Sequence, residues 1–331
     1  MSAASEEQVE AQEGFRLPSW LSVAVVRDYG VVLAFIALFV TLSLSSSAFF
    51  TSANLKNLAF QATPVGIIAA GGTLVFIAGG FDLSVGAVSG FSAIICGKAY
   101  LHAGVGTWGS FMVGALVGLA CGLGNGLLIT IGRVNAFIAT LATSIIIYGF
   151  GQVVTGGNLV SIQAPHFSVL GLGSSLGINN PVYVWIGFAL FCGFLLSKAA
   201  FGRYAFAVGG NPEAARLSGV RVNLVRIATF AISGLGAGIA GVILFSEVST
   251  AQWNANQGIE FTAITAIVLG GTSLLGGEGA VWRSALGALF LTMIQNGFDL
   301  LGTTPQWVYV FQGLILAAAV SLDAWARRRG G

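Results

Sequence analysis

Residues 134–197 read VNAFIATLATSIIIYGFGQVVTGGNLVSIQAPHFSVLGLGSSLGINNPVYVWIGFALFCGFLLS, without a single Asp, Glu, Lys or Arg. A soluble domain carries roughly 25% charged residues, so a run this long without one has no place on a wetted surface. It contains apolar stretches at 135–155 and 181–198, each near the roughly 20 residues that a bilayer crossing needs. Between them, about 156–180, lies an uncharged polar loop with Asn158, Gln163, Asn179 and Asn180. The whole chain of 331 residues repeats the pattern, at 56% hydrophobic and 8% charged. Its 48 glycines suit membrane helices, which approach closely through small residues. The expected fold is an all-α polytopic membrane protein.

Working outward, we place about ten transmembrane helices at 29–49, 62–80, 83–101, 107–131, 135–155, 181–198, 226–246, 261–276, 281–300 and 306–323. The eighth is short, and its glycine-rich end beginning Gly270-Gly271-Thr272 suggests a broken helix. Residues 1–28 form a polar N-terminal tail without the basic start and small-residue cleavage site of a signal peptide. Residues 29–325 make one transmembrane domain, and 326–331 a basic C-terminal tail.

Positive charge sets the orientation. With both termini in the cytoplasm, the inner segments hold Arg16, Arg27, Arg133, Lys198, Arg203, Arg216, Arg221, Arg226, Arg283, Arg327, Arg328 and Arg329. The outer segments hold only Lys56 and Lys98. The longest polar interruption after the tail, Phe201–Arg226 within the loop 199–226, is then cytoplasmic. Its middle reads as a short, complete helix. Asn211 is placed to cap it, Pro212 to open it, and Glu213 and Arg216 to match the helix dipole. Ala214, Ala215, Leu217 and Ser218 fill it out, and Gly219 supplies a left-handed stop. Gly209 and Gly210 are expected to loosen the backbone before it. A helix of about two turns has no core of its own, so it is expected to press against a partner.

Other motifs carry two readings each. Gly114, Gly118, Gly122 and Gly126 form one helix stripe, read as packing within the chain in preference to a dimer contact. Asp82 lies between two apolar runs in GGFDLSVG at 79–86. An acid there is a functional candidate, but it is also well placed to cap a helix starting at Leu83, and we weight capping and loop geometry above substrate contact. Asn125, Asn135 and Gln152 are candidates for a polar path, or merely satisfy backbone groups. Glu247, Glu260, Glu278 and Asp299 map to span ends and are expected to be mostly solvated or interfacial. Cys96, Cys121 and Cys192 read as small buried hydrophobes, and neither His102 nor His166 is assigned a ligand role. We expect no metal site and no catalytic residue. The three lysines, Lys56, Lys98 and Lys198, complete no phosphate-binding loop; after Gly97-Lys98 comes Ala99, and position 92 is Ser. The chain is not expected to hydrolyse ATP itself.

Three stretches together, GGFDLSVGAVSG at 79–90, FGRYAFAVGGNPEAARLSGV at 201–220 and VLGGTSLLGGEGAV at 268–281, resemble the ribose-type sugar permeases of bacterial ABC importers, in family order and over roughly 29–325. Phe81 stands where members more often have Ile. Branched-chain amino-acid permeases share the general architecture but lack the GG-x-DLSVG motif. The resemblance implies an inner-membrane permease paired with a second copy or a close paralogue. It implies a cytoplasmic ATPase that binds ATP and Mg, and a periplasmic sugar-binding protein. Residues 211–219 would be the coupling helix that docks in the ATPase. No nucleic-acid partner is implied.

Three functions are thus weighed. The first is the membrane subunit of an ATP-driven importer for a monosaccharide or polyol, carried along an uncharged polar path. The second is an ion-gradient-driven secondary transporter with ion sites at broken helices, which has no need of a capped cytoplasmic helix. The third is a non-transporting membrane scaffold or receptor, disfavoured by glycine content and by polar residues such as Gln152 and Asn125 within spans.

Overall fold

The computed structural model describes residues 23–304 and 306–330, with side chains described over 29–304 and 306–321. Of the expected tail at 1–28, residues 1–22 lie outside the described residues, and the first helix, α1 (Val23–Ser45), begins before the tail was expected to end. Of the basic end expected as a tail at 326–331, residues 326–330 continue the last helix, α13 (Gln306–Gly330), and 331 lies outside the described residues. Between these two lie α2 (Ser52–Gln61), α3 (Thr63–Ile77), α4 (Val85–His102), α5 (Gly106–Ile131), α6 (Ala136–Thr155) and α7 (Asn180–Ser197). They are followed by α8 (Ala200–Gly210), α9 (Pro212–Leu217), α10 (Val222–Val248), α11 (Ile259–Leu269) and α12 (Val281–Leu300).

A helix or bent pair stands at each of the ten expected span positions, but among the described residues length and apolarity mark fewer of them as crossings. Helices α5, α6, α7 and α10 qualify, and α2 with α3 make a fifth if their 45° bend is counted within one span. For α3 the reason is environment: it has 15 residues, and every one except Val65 is buried. A helix enclosed by other helices need not be long or uniformly oily. By contrast α5, α6 and α7 present Leu116, Ile131, Ile145, Val153 and Leu190 on exposed surface, which suits lipid.

Helix α10 is the axis, packed against α5, α3 and α4. Its crossing with α5 is backbone on backbone. A Cβ at Gly118 would fall 2.6 Å from the Cα of Gly238, and one at Gly122 would fall 3.0 Å from the Cα of Gly234. The stripe of four glycines therefore packs within the chain, as read. The triplets Gly71-Gly72-Thr73 and Gly270-Gly271-Thr272 occupy unlike places, one inside α3 and the other after α11.

The short eighth element has a structural cause. After α10 the chain descends along the small-residue face of α4 before helix resumes. Strand β1 (Val160–Ser161) pairs antiparallel with a second short strand, Thr250–Ala251. Val160 Cγ1 lies 2.6 Å from where a Cβ on Gly97 would be, and the Trp253 carbonyl oxygen is 3.3 Å from the same point at Gly90. Asn256 Nδ2 donates to Ser89 Oγ at 2.9 Å, and Glu260 meets Gly86. From Gly97 to Gly86 is about 16 Å of helix at 1.5 Å per residue. Helix α11 starts that far down α4 and ends at Leu269, after which residues 270–280 are irregular.

Candidate functional site

The short helix read at 211–219 is present with its caps. Asn211 Oδ1 accepts from the backbone N–H groups of Glu213 and Ala214, each at 3.0 Å. Pro212 is the first helical residue, and Arg216 pairs with Glu213 on the surface. Gly219 has φ +85°, and the Val220 N–H returns to the Ala215 carbonyl at 3.0 Å. The two alanines differ. Ala215 is buried among residues of α10 and the core, whereas Ala214 is exposed beside Leu217, which is 82% exposed. One face of α9 is therefore used up by its own chain and the other offers an unpartnered leucine.

Gly209 and Gly210 are the last residues of α8, not a loosened linker. They matter for close approach. Gly277 N donates to the Ile77 carbonyl at 2.9 Å, and Gly209 lies directly over that hydrogen bond. A Cβ there would overlap the Ile77 oxygen and fall 2.5 Å from Gly277 N. Gly276, at φ +93°, has room for a Cβ neither against the Gly209 oxygen (2.9 Å) nor against the Gly79 Cα (2.9 Å). Three stretches far apart in sequence, 77–80, 209–210 and 275–279, thus meet backbone to backbone immediately before α9.

Asp82 sits one step deeper, 5% exposed. Helix α4 begins at Val85, two residues later than expected, and Ser84, not Asp82, is its cap residue. The carboxylate instead organises a network. Ser84 N (3.1 Å) and Ser84 Oγ (2.6 Å) donate to Asp82 Oδ1, and Ser233 Oγ of α10 donates to Oδ2 at 2.8 Å. Asn125 Nδ2 of α5 donates to Ser84 Oγ at 2.7 Å. Two candidates, Asp82 and Asn125, are brought together, and they join α4, α5 and α10. An amide at position 82 still offers one acceptor, and Ser233 Oγ can reverse to accept. Asp82→Asn is expected to keep uptake within roughly fivefold, since a hydrogen bond nets about 1 kcal/mol. Asp82→Leu leaves several buried donors unmet at about 1–3 kcal/mol each, and the protein should accumulate poorly on membrane immunoblots. Full accumulation of Asp82→Asn without uptake would assign the charge a direct role in transport.

The other two candidates lie elsewhere. Asn135 is exposed and caps α6, its Oδ1 accepting from Phe137 N at 2.9 Å. Gln152 is on the exposed face of α6, remote from that network in sequence and on another helix. Glu260, expected at a solvated span end, is 7% exposed and accepts from Gly258 N at 3.0 Å, lying against Gly86 of the GGFDLSVG stretch. Cys96 and Cys192 are buried and Cys121 is half-buried, all as free thiols. A cavity of about 540 Å³ opens between α3, α11, α12 and α13, lined by Gln61, Gln257, Thr262, Gln295 and Gln312 with Asp299 the acid among its walls. Gln312 Nε2 donates to Thr262 Oγ1 at 2.6 Å across it. Among the described residues no group of three His, Cys, Asp or Glu could hold a metal ion.

A helical membrane protein with these elements is matched over residues 54–320 by the family model described as branched-chain amino acid transport system / permease component, and the chain belongs to that family of transport-system permease components. Among curated proteins it is 38% identical over 306 residues to the L-arabinose ABC transporter permease protein AraH of Azospirillum brasilense, covering 92% of this chain and 90% of that one. It is 35% identical over 299 residues to the ribose import permease protein RbsC of Escherichia coli K12 (88% and 92%). It is 34% identical over 322 residues to the fructose import permease protein FrcC of Rhizobium meliloti (93% and 87%). No solved structure matches. The chain is a non-catalytic, multi-pass permease subunit of the ABC importer class, and the ion-gradient alternative falls away.

Proposed function

We propose that the chain carries a monosaccharide or polyol across the bacterial inner membrane, delivered by a periplasmic binding protein and driven by a separate ATPase. The observation that carries this reading is the near-complete coverage of permeases whose names specify arabinose, ribose and fructose. The family description names branched-chain amino acids, but the chemistry favours sugar. The cavity between α3, α11, α12 and α13 has amides and hydroxyls with one carboxylate and no cation, a set suited to hydroxyl groups.

In this reading the chain crosses the membrane ten times with both termini cytoplasmic, and two copies pair. ATP and Mg are bound by the ATPase, and α9 docks there. Vesicles holding the permease, its ATPase and the loaded binding protein test this. Uptake of labelled sugar should require ATP and survive ionophores. In the same membranes, cysteines introduced in the 156–180 loop should react with an impermeant reagent from the periplasmic side, and cysteines at 205–220 should not. Ionophore-sensitive uptake without ATP, or labelling of both regions from one side, would contradict the reading.

A further inference from the structure

On the α9 side of the protein lies a second and larger cleft, about 1010 Å³, between the α5–α6 turn, α9 and the start of α10. Arg133, Arg216, Arg221 and Arg226 line it, and no Asp, Glu or Lys does. Only Arg216 is paired, to Glu213 on the surface of α9. Among the described residues Arg133, Arg221 and Arg226 form no ion pair and donate no side-chain hydrogen bond. Arg226 is half-buried. Four of the chain's arginines thus line one concavity.

Two features of the backbone point the same way. Arg133 has φ +53° at the position just after the α5 end, where glycine is the usual residue. A side chain in that region costs about 1–2 kcal/mol, yet an arginine stands there, among the residues that line the cleft. Helix α10 opens beside it without a side-chain cap, so the positive end of a long helix dipole adds to the same field. Arginine offers a planar fork that matches the oxygens of phosphate.

We propose that this cleft binds a phosphate-bearing anion, and that its occupant, resting against Pro212 and Arg216, holds α9 in place from the membrane side. The same chemistry has two sources: the headgroup of an anionic phospholipid in the adjoining leaflet, or a soluble phosphate ester.

The test uses the full permease–ATPase complex in nanodiscs. One arm compares phosphatidylcholine alone with phosphatidylcholine plus phosphatidylglycerol, counting phosphatidylglycerol retained by native mass spectrometry. The other titrates glycerol 3-phosphate in phosphatidylcholine discs and follows thermal protection. The variants are Arg133→Gln with Arg221→Gln, and Arg203→Gln as a basic residue on the same side outside the cleft. Parent and Arg203→Gln should retain phosphatidylglycerol or bind glycerol 3-phosphate, and whichever arm responds names the source. The double variant should lose at least about tenfold in that affinity, on the scale of removing two charge-assisted contacts. Equal retention and equal affinity in the double variant would overturn the proposal. So would an absence of binding by either probe; if the cleft arginines were then protected from a guanidinium-modifying reagent only with the ATPase docked, its carboxylates would be the occupant instead.

Discussion

Gly209→Ala should abolish most sugar uptake, while Gly210→Ala, one residue away, should transport like the parent. The contrast follows from what an added methyl meets. At Gly209 it meets the Ile77 oxygen and Gly277 N, two backbone atoms already joined to each other by a hydrogen bond. Neither can swing aside as a side chain would, so the three strands of chain must part. Overpacking of this kind costs typically about 1–3 kcal/mol and sometimes more. At Gly210 nothing lies within 4 Å of the new Cβ, and alanine there favours the helix by up to about 1 kcal/mol. Uptake at matched membrane abundance should fall at least roughly tenfold for the first variant, the equivalent of about 1.4 kcal/mol. It should change less than about twofold for the second. Equal transport by the two would mean that the contact between α8, the α3–α4 turn and the α11–α12 turn is dispensable.

The second large effect is expected on the outer face of α9. Ala214→Arg adds length and charge beside the exposed Leu217 and leaves helix propensity nearly unchanged. It touches no core residue, so insertion and permease pairing should be normal, and only the docked ATPase should feel it. Ala215→Arg is a different experiment. Ala215 is packed into the protein, and an arginine there must expel α9 from its seat or bury a charge. That variant should accumulate less, and its loss of uptake would not by itself report on docking. The adjacent alanines looked equivalent in sequence because a six-residue helix is too short for periodicity to tell its faces apart.

Much of the architecture was legible because a bilayer enforces it. A chain with no charge from Val134 to Ser197 has few places to go, and the caps of α9 are local chemistry written in adjacent residues. The glycine stripe on α5 was readable as packing because four-residue spacing defines a helix face. What escaped was set by distant partners. The local use of Asp82 was legible, since its Oδ1 takes the N–H and hydroxyl of Ser84 two residues on; its bond from Ser233 was not, because Ser233 is far along the chain. Glu260 looked solvated because nothing local reveals that residues 249–258 run down α4. Gly209 looked like a hinge, since a glycine needed for close approach and one needed for freedom are the same letter.

The claim at the centre is that α9 transmits the ATPase's work to the permease through the glycine contact behind it. The most direct measurement is uptake and ATP hydrolysis, recorded together in reconstituted vesicles, for Ala214→Arg against the parent. The variant should insert and pair normally, lose at least roughly tenfold in uptake, and no longer hydrolyse ATP faster when loaded binding protein is added. Uptake and stimulation at the parent's rates in that variant would contradict it.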